Sequence, residues 1–299
     1  MFILIALGWI AYRVNWIGPT ATKGLTNLLL YMVIPAVTIQ AFQRTFDADQ
    51  LRNIGMSFAA SLATFALNIL ISRLLFTRRW VPNEGRRVAL RFGTVFSNAG
   101  FMGVPLTHAI LGDDGVLYAV AYVASYTIFN WTYGVSLFDQ NIGSAWRRVR
   151  QAVLKPGILA ILVALPLFLL SVRIPSPFSD ALGYLASMNT PLSMIVVGLS
   201  LAEFSLRTVF GDRLVWIGTL VRNILMPLLF VGLLVLVPID PVARMAILTG
   251  VSTPVGAMLV IFTVRYEKDS VFATRLLCLS TLLSVVTLPG MIALATMLW

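Results

Sequence analysis

Two short polar stretches stand inside long apolar runs and hold the side chains best suited to bind something. The first reads Phe96-Ser97-Asn98-Ala99-Gly100-Phe101-Met102-Gly103-Val104-Pro105 and the second Thr249-Gly250-Val251-Ser252-Thr253-Pro254-Val255-Gly256. Each combines glycines and hydroxyl or amide side chains with a proline, which has no N–H and collides with the turn before it. A helix interrupted in this way releases backbone polar groups, and in an apolar surrounding those groups need partners. Ser97 and Asn98 offer them at one break, Ser252 and Thr253 at the other. Proline favours the first helical positions, so Pro105 and Pro254 are expected to start new half-helices. Two half-helix N-termini, each the positive end of a dipole, together with side-chain donors make a site for an anion such as a carboxylate. Simple packing kinks are the competing reading.

Other polar residues narrow the chemistry. His108, the only histidine, follows Pro105 by about a turn. One histidine without further ligands makes no metal site, and no carboxylate neighbours it in the segment to orient it for hydrolysis. A packing or vestibule position fits it better, with pH gating left open. Arg222 lies about 15 Å into its segment at the helical rise. We favour its snorkelling to the cytoplasmic interface; otherwise it supplies positive charge to a substrate cavity. Asn223 and Pro227 follow it and mark that helix as irregular. All the acidic residues fall at segment ends or in loops, which disfavours proton exchange and intramembrane proteolysis, since both want a buried carboxylate. No Gly-x-x-x-x-Gly-Lys loop is present for ATP-driven pumping. Ser125, Tyr126, Thr127, Asn130, Thr132 and Tyr133 form a polar run, equally readable as cavity lining or helix–helix hydrogen bonding. No enzyme activity and no cofactor are expected, and Na+ coupling is left open.

The elements that must position these residues are apolar and long. Of 299 residues, 59% are hydrophobic and 11% charged, with a mean hydropathy of +0.89, against roughly 25% charged residues in soluble domains. Ten segments are drawn at 1–15, 20–43, 53–76, 86–111, 115–138, 152–173, 179–204, 212–237, 241–265 and 270–298, each bounded by Gly, Pro or charged residues. They are continuously apolar at about twice the length of a barrel strand, so they are helices. The first is read as a membrane helix and not a signal peptide, its shortness before Arg13 suggesting a trimmed or tilted start. The net charge of +10 sits in short loops, where it sets orientation and does not point to nucleic acid. Loops after odd-numbered segments hold seventeen of the 22 Lys and Arg residues, which places those loops in the cytoplasm and both termini outside. Cys278 is the only cysteine, so no intrachain disulfide forms.

Five segments on either side of the connection 139–155 force the second half to enter the membrane upside down. Interruptions at matching ordinals support such an inverted repeat: Pro35 in segment two with Pro191 in segment seven, and the two polar stretches in segments four and nine. Paired interruptions of this kind point to a transporter's binding site. The expected fold is thus an all-α membrane protein of ten transmembrane helices in a 5+5 inverted repeat, residues 1–138 and 156–299 flanking a cytoplasmic linker.

The stretch Asn98-Ala99-Gly100-Phe101-Met102-Gly103-Val104-Pro105-Leu106 resembles the Asn-x-x-x-x-Gly-x-Pro-Leu motif of the auxin efflux carrier family of plant PIN proteins and bacterial relatives. Ser252-Thr253-Pro254 and Pro35 fit the same pattern, and the short central loop is similar to that of bacterial members. The resemblance implies a crossing of segments four and nine at their prolines. It implies a scaffold and homodimer surface from segments one, two, six and seven, and a moving transport unit from segments three to five and eight to ten. It implies organic anions such as auxins, malonate or malate as cargo, with Asn98 touching the carboxylate. The expected function is a secondary transporter in the inner or plasma membrane that moves a small organic anion by alternating access. Its expected site is Ser97, Asn98, Gly103, Pro105, Arg222, Ser252, Thr253 and Pro254. A sodium-coupled organic-anion symporter of the bile-acid type and a non-transporting anion receptor are the alternatives.

Overall fold

The structure, a computed structural model, describes residues 2–139, 150, 153–203, 209–235 and 237–299. The first half holds α1 (Phe2–Arg13), α2 (Pro19–Ala41), α3 (Ala48–Leu75), α4 (Glu84–Val95), α5 (Val104–Phe129) and α6 (Val135–Phe138). The second holds α7 (Pro156–Leu169), α8 (Phe178–Ala202), α9 (Arg213–Leu234), α10 (Pro241–Ser252), α11 (Met258–Arg265) and α12 (Ser270–Leu298). Five of these, α2, α3, α8, α9 and α12, are long and apolar enough to cross a membrane. Arg147, Arg148 and Arg207, which enter the loop-charge reading, lie outside the described residues.

The loop acids explain where several helices begin. Asp47, Asp212, Asp240 and Asp269, with Asn83, each accept backbone N–H bonds at the first turn of α3, α9, α10, α12 and α4 respectively, satisfying donors that the helix cannot. Leu74, Val264 and Val286 are more than half exposed while Arg222, Asn223 and Ser280 are wholly buried. Large apolar side chains facing outward around a core that also holds buried polar groups suit lipid and not water.

Prolines bend these helices less than the sequence suggests. In α2 the helix runs on through Pro35 by widening into a π turn at Leu29–Val33, with the N–H of Ile34 reaching back to Leu29. Similar turns precede Pro105 (Ala99–Gly103) and Pro227 (Val221–Leu225). The missing proline N–H removes one four-residue bond, and the N–H just before it takes a five-residue bond instead. Asn130–Gly134 forms a fourth π turn, with no proline behind it. At Pro191, α8 is disturbed only at Met188. The expected interruptions of segments two and seven are therefore distortions of continuous helices.

α5 doubles back on itself. Ser97 Oγ lies 3.2 Å from the Tyr122 hydroxyl, whereas 25 residues of straight helix would span about 38 Å. The reversal is at Gly112, whose φ of 65° is a region open to glycine and strained for other residues. α1, α2, α7 and α8 pack chiefly on one another. Gly8 and Gly198 let the backbones of α1 and α8 touch. The remaining helices surround the two polar stretches.

Candidate functional site

Both polar stretches leave the helix and run extended. Ser97 and Val255 face each other in an antiparallel bridge. The Asn98 N–H donates to Pro254 O at 2.7 Å and the Gly256 N–H to Phe96 O at 2.9 Å. A Cβ on Gly256 would sit 2.9 Å from Ser97 O, so the strands approach this closely only because that position is glycine. Gly103 faces the Cα of Gly250.

Each redirected N–H strands a carbonyl. In an unbroken helix Asn98 N–H would bond Thr94 O and Val255 N–H would bond Val251 O. Asn98 N–H goes to Pro254, and Val255 N–H goes to Ser280 Oγ at 2.9 Å. Arg222 takes up what is left. Its Nη1 donates to Thr94 O at 3.0 Å, its Nε to Thr253 O at 3.3 Å, and its Nη2 to Val251 O. The snorkelling expected of Arg222 does not occur, because those carbonyls hold it inward and it is completely buried. The irregularity expected of its helix is present, since Arg222 and Asn223 sit within the π turn Val221–Leu225. Asn223 holds Ser280 from both sides: its Oδ1 accepts from Ser280 Oγ at 2.6 Å and its Nδ2 donates to Ser280 O at 2.8 Å.

The half-helices do not start at their prolines. After the first break the helical path begins at Ala99, with Met102 and Gly103 N–H both on Asn98 O, and Pro105 is the second residue of α5. Pro254 lies in the extended stretch, and α11 starts at Met258. Thr253 stays local, its hydroxyl on Gly250 O at 2.8 Å. The Asn98 side chain, nearly buried, makes no capping bond. The buried hydroxyls of Thr94 and Ser252 have no partner.

His108 does have a carboxylate beside it: the Gly112 reversal brings Asp113 Oδ1 to 3.4 Å from its Nε2. Both line a cleft of about 200 Å³ with Val37, Gln40, Ser187 and Asn189, and Asn189 Nδ2 is buried without a partner. A second cleft of about 280 Å³ holds Arg44 and Asp114, which pair at 2.5 Å between the end of α2 and the reversal. None of the expected site residues lines either cleft. The polar run of the fifth segment largely serves itself, with Ser125, Thr127 and Thr132 bonding carbonyls one turn back. At the opposite end of α4, Arg86 reaches Asp212 at 3.2 Å and Asp269 at 3.5 Å. Lys268 pairs there with Glu84 at 3.0 Å. The Lys268 hydrogen bond and charge hold the Glu84 carboxyl below its ordinary value. Among the described residues no group of three or more His, Cys, Asp or Glu gathers as a metal site would require.

Sequence reasoning missed Tyr122 and Ser280, which complete the breaks from other helices. Their only local signal is a polar atom within an apolar run, which many residues here share.

The sequence profile described as "Membrane transport protein" matches residues 1–146 and 143–292. An "Uncharacterized transporter" of Methanothermobacter thermautotrophicus is 24% identical over 97% of this chain and 94% of its own length. An uncharacterized transporter of Methanocaldococcus jannaschii is 23% identical over 90% and 88%. A Rhizobium meliloti protein named "Putative malonate transporter" is 23% identical over 97% and 92%. The family and these relatives are described as transporters and not as enzymes, and several apolar helices make this chain a multi-pass membrane protein. The chain belongs to the membrane transport protein family, the auxin efflux carrier group that its Asn98–Leu106 stretch resembles.

Proposed function

We propose that the chain is a secondary carrier for a small carboxylate, working by alternating access around the paired stretches at 96–98 and 253–257. The observation that carries this reading is the pairing itself. Two broken helices meet backbone to backbone, and two half-helices start from that place. Their first N–H groups and the uncapped Asn98 amide are donors suited to a carboxylate. Ser97, Gly103, Pro105, Ser252, Thr253 and Pro254 shape that place, and Arg222 positions the backbone around it.

In this reading the chain has ten spans as a 5+5 inverted repeat in the inner membrane, with both termini outside. α1, α2, α7 and α8 form the scaffold and homodimer surface, and the other helices form the moving unit. The packing of α1 along α8 and of α2 on α7 supports the first group. Both clefts lie around the Gly112 reversal, the first of them between α2, α5 and α8, and the residues of the breaks are buried away from both. The malonate transporter among the relatives makes a dicarboxylate the first cargo to try. Uptake of radiolabelled malonate, malate and indole-acetate into proteoliposomes tests the reading. Saturable flux of one of them is expected. Binding without flux would make the chain a receptor, and no response to any carboxylate would end the proposal.

A further inference from the structure

A broken helix usually needs something positive near its C-terminal end, because the carbonyls left there carry the negative pole of the dipole, about half a unit charge. Here two such ends meet: α4 ends with Thr94 O free, α10 with Val251 O free, and Thr253 O lies just beyond. Three carbonyl oxygens drawn from both halves of the chain onto one place form the kind of donor set that a hard cation takes. In this chain the place is filled covalently. The Arg222 guanidinium spans all three carbonyls and is wholly buried. No ion pair joins it to a carboxylate among the described residues, whose ion pairs lie at helix ends and at the Gly112 reversal. Its charge is matched by the carbonyls of the two helix ends, with the neutral Tyr122 hydroxyl as a further partner. Guanidinium does not give up its proton in proteins, so this cation neither exchanges nor titrates.

Resting on the carboxylate-carrier reading, we infer that Arg222 is a resident cation standing where a coupling metal ion would bind, so that anion transport by this protein is independent of Na+. A mobile cation would have to enter beside a full positive charge already held by the same oxygens, and in a buried setting that repulsion is weakly screened. With the negative poles neutralised by Arg222, the positive poles at Ala99 and Met258 are left to the cargo, and the moving unit carries its own countercharge. The sodium symporter alternative then lacks its ion site.

The test combines stability with flux. Thermal unfolding of the purified wild-type protein is followed while Na+ replaces choline at constant ionic strength, and malonate uptake is measured under Na+, K+ and choline gradients. The unfolding midpoint and the rate are expected not to change. Arg222→Ala removes a charged donor from three buried carbonyls and is expected to lower the midpoint and cut flux by ~10-fold or more. Methylguanidinium is expected to raise the midpoint of that variant where choline does not. Arg222→Lys, which keeps the charge, guards against a variant that does not fold, and is expected to keep Na+-independent behaviour. A midpoint or uptake rate that rises with Na+ in the wild type would overturn the inference. So would an Arg222→Ala protein of wild-type stability and flux, or one indifferent to methylguanidinium. If wild-type protein moves no carboxylate, the carrier reading fails, while the unfolding series still decides whether Arg222 fills the place of an ion.

Discussion

The N–H of Asn98 donates to the carbonyl of Pro254 at 2.7 Å. Pro254 has no N–H to give, yet its carbonyl accepts the donor that Asn98 can no longer send to Thr94. Each break thus supplies what the other lacks. A break left alone in the bilayer would carry unpaired polar groups at several kcal/mol each, which two meeting breaks and one arginine avoid.

The Asn98 side chain makes no capping bond, so the fold does not depend on it. Asn98→Ala is expected to leave the thermal midpoint nearly unchanged and to weaken carboxylate binding. Hydrogen bonds to charged groups contribute about 1.5–3 kcal/mol, roughly 10- to 150-fold in affinity. Ligand-induced shifts of the unfolding midpoint would measure it, and unchanged shifts would remove Asn98 from the site.

Asn223 and Ser280 hold the Val255 N–H from behind. Ser280→Ala orphans the buried Val255 N–H and the Oδ1 of Asn223, whose Nδ2 keeps the backbone carbonyl of residue 280, at an expected cost of ~1–3 kcal/mol. Asn223→Ala should cost a similar amount, and the double variant less than the sum, because the residues act as one unit. Denaturation of the three variants in detergent checks this; simple additivity would show them to be independent.

Arg44 and Asp114 join the end of α2 to the Gly112 reversal. If the two helix groups move against each other, that contact must part in every cycle. Cysteines at both positions, joined by a bifunctional thiol reagent, are expected to stop flux, and reductive release to restore it. Full flux in the joined protein would mean that this contact does not move. The native Cys278 is buried away from the reagent.

Glu84 is the acid whose ionisation responds to a partner, Lys268. Its carboxyl is lowered in the folded state, so the pair stabilises fully above the unfolded value and the contribution is lost as pH falls through the lowered one. Glu84→Gln should unfold at a slightly lower temperature than wild type near neutrality, the difference vanishing as the pH falls through the lowered value. The effect is small because the carboxylate is mostly exposed and screened. A difference that grows on acidification would contradict the assignment.

Much of the scaffolding was legible in advance because apolar length and punctuation are local. The segment drawn at 270–298 is α12, and 53–76 overlaps α3 at Ala48–Leu75. The two breaks were visible for the same reason, as polar residues where an apolar helix should run. What stayed hidden depends on contact between distant residues. Arg222 could be placed along its helix, but nothing near it in sequence announces three carbonyls from two other helices. Asp113 stands five residues from His108 in sequence, yet becomes its neighbour only through the positive φ at Gly112. Proline marks the places where bonding changes without saying how, so a π turn at Pro35 and an extended strand at Pro254 looked alike.

The π turns before Pro35 and Pro105 carry one residue more than an α turn. Every residue of a helix adds about 100° of rotation, so the surplus residue decides which way everything after it faces. Val37 and Gln40 point into the cleft with His108 only because Leu29–Val33 is one residue over-long. Removing a single residue there would hardly shorten α2, yet it would swing Gln40 round the helix and present a different face to the cleft. Length variation is tolerated in the loops of such a protein; in these turns one residue is a change of aim.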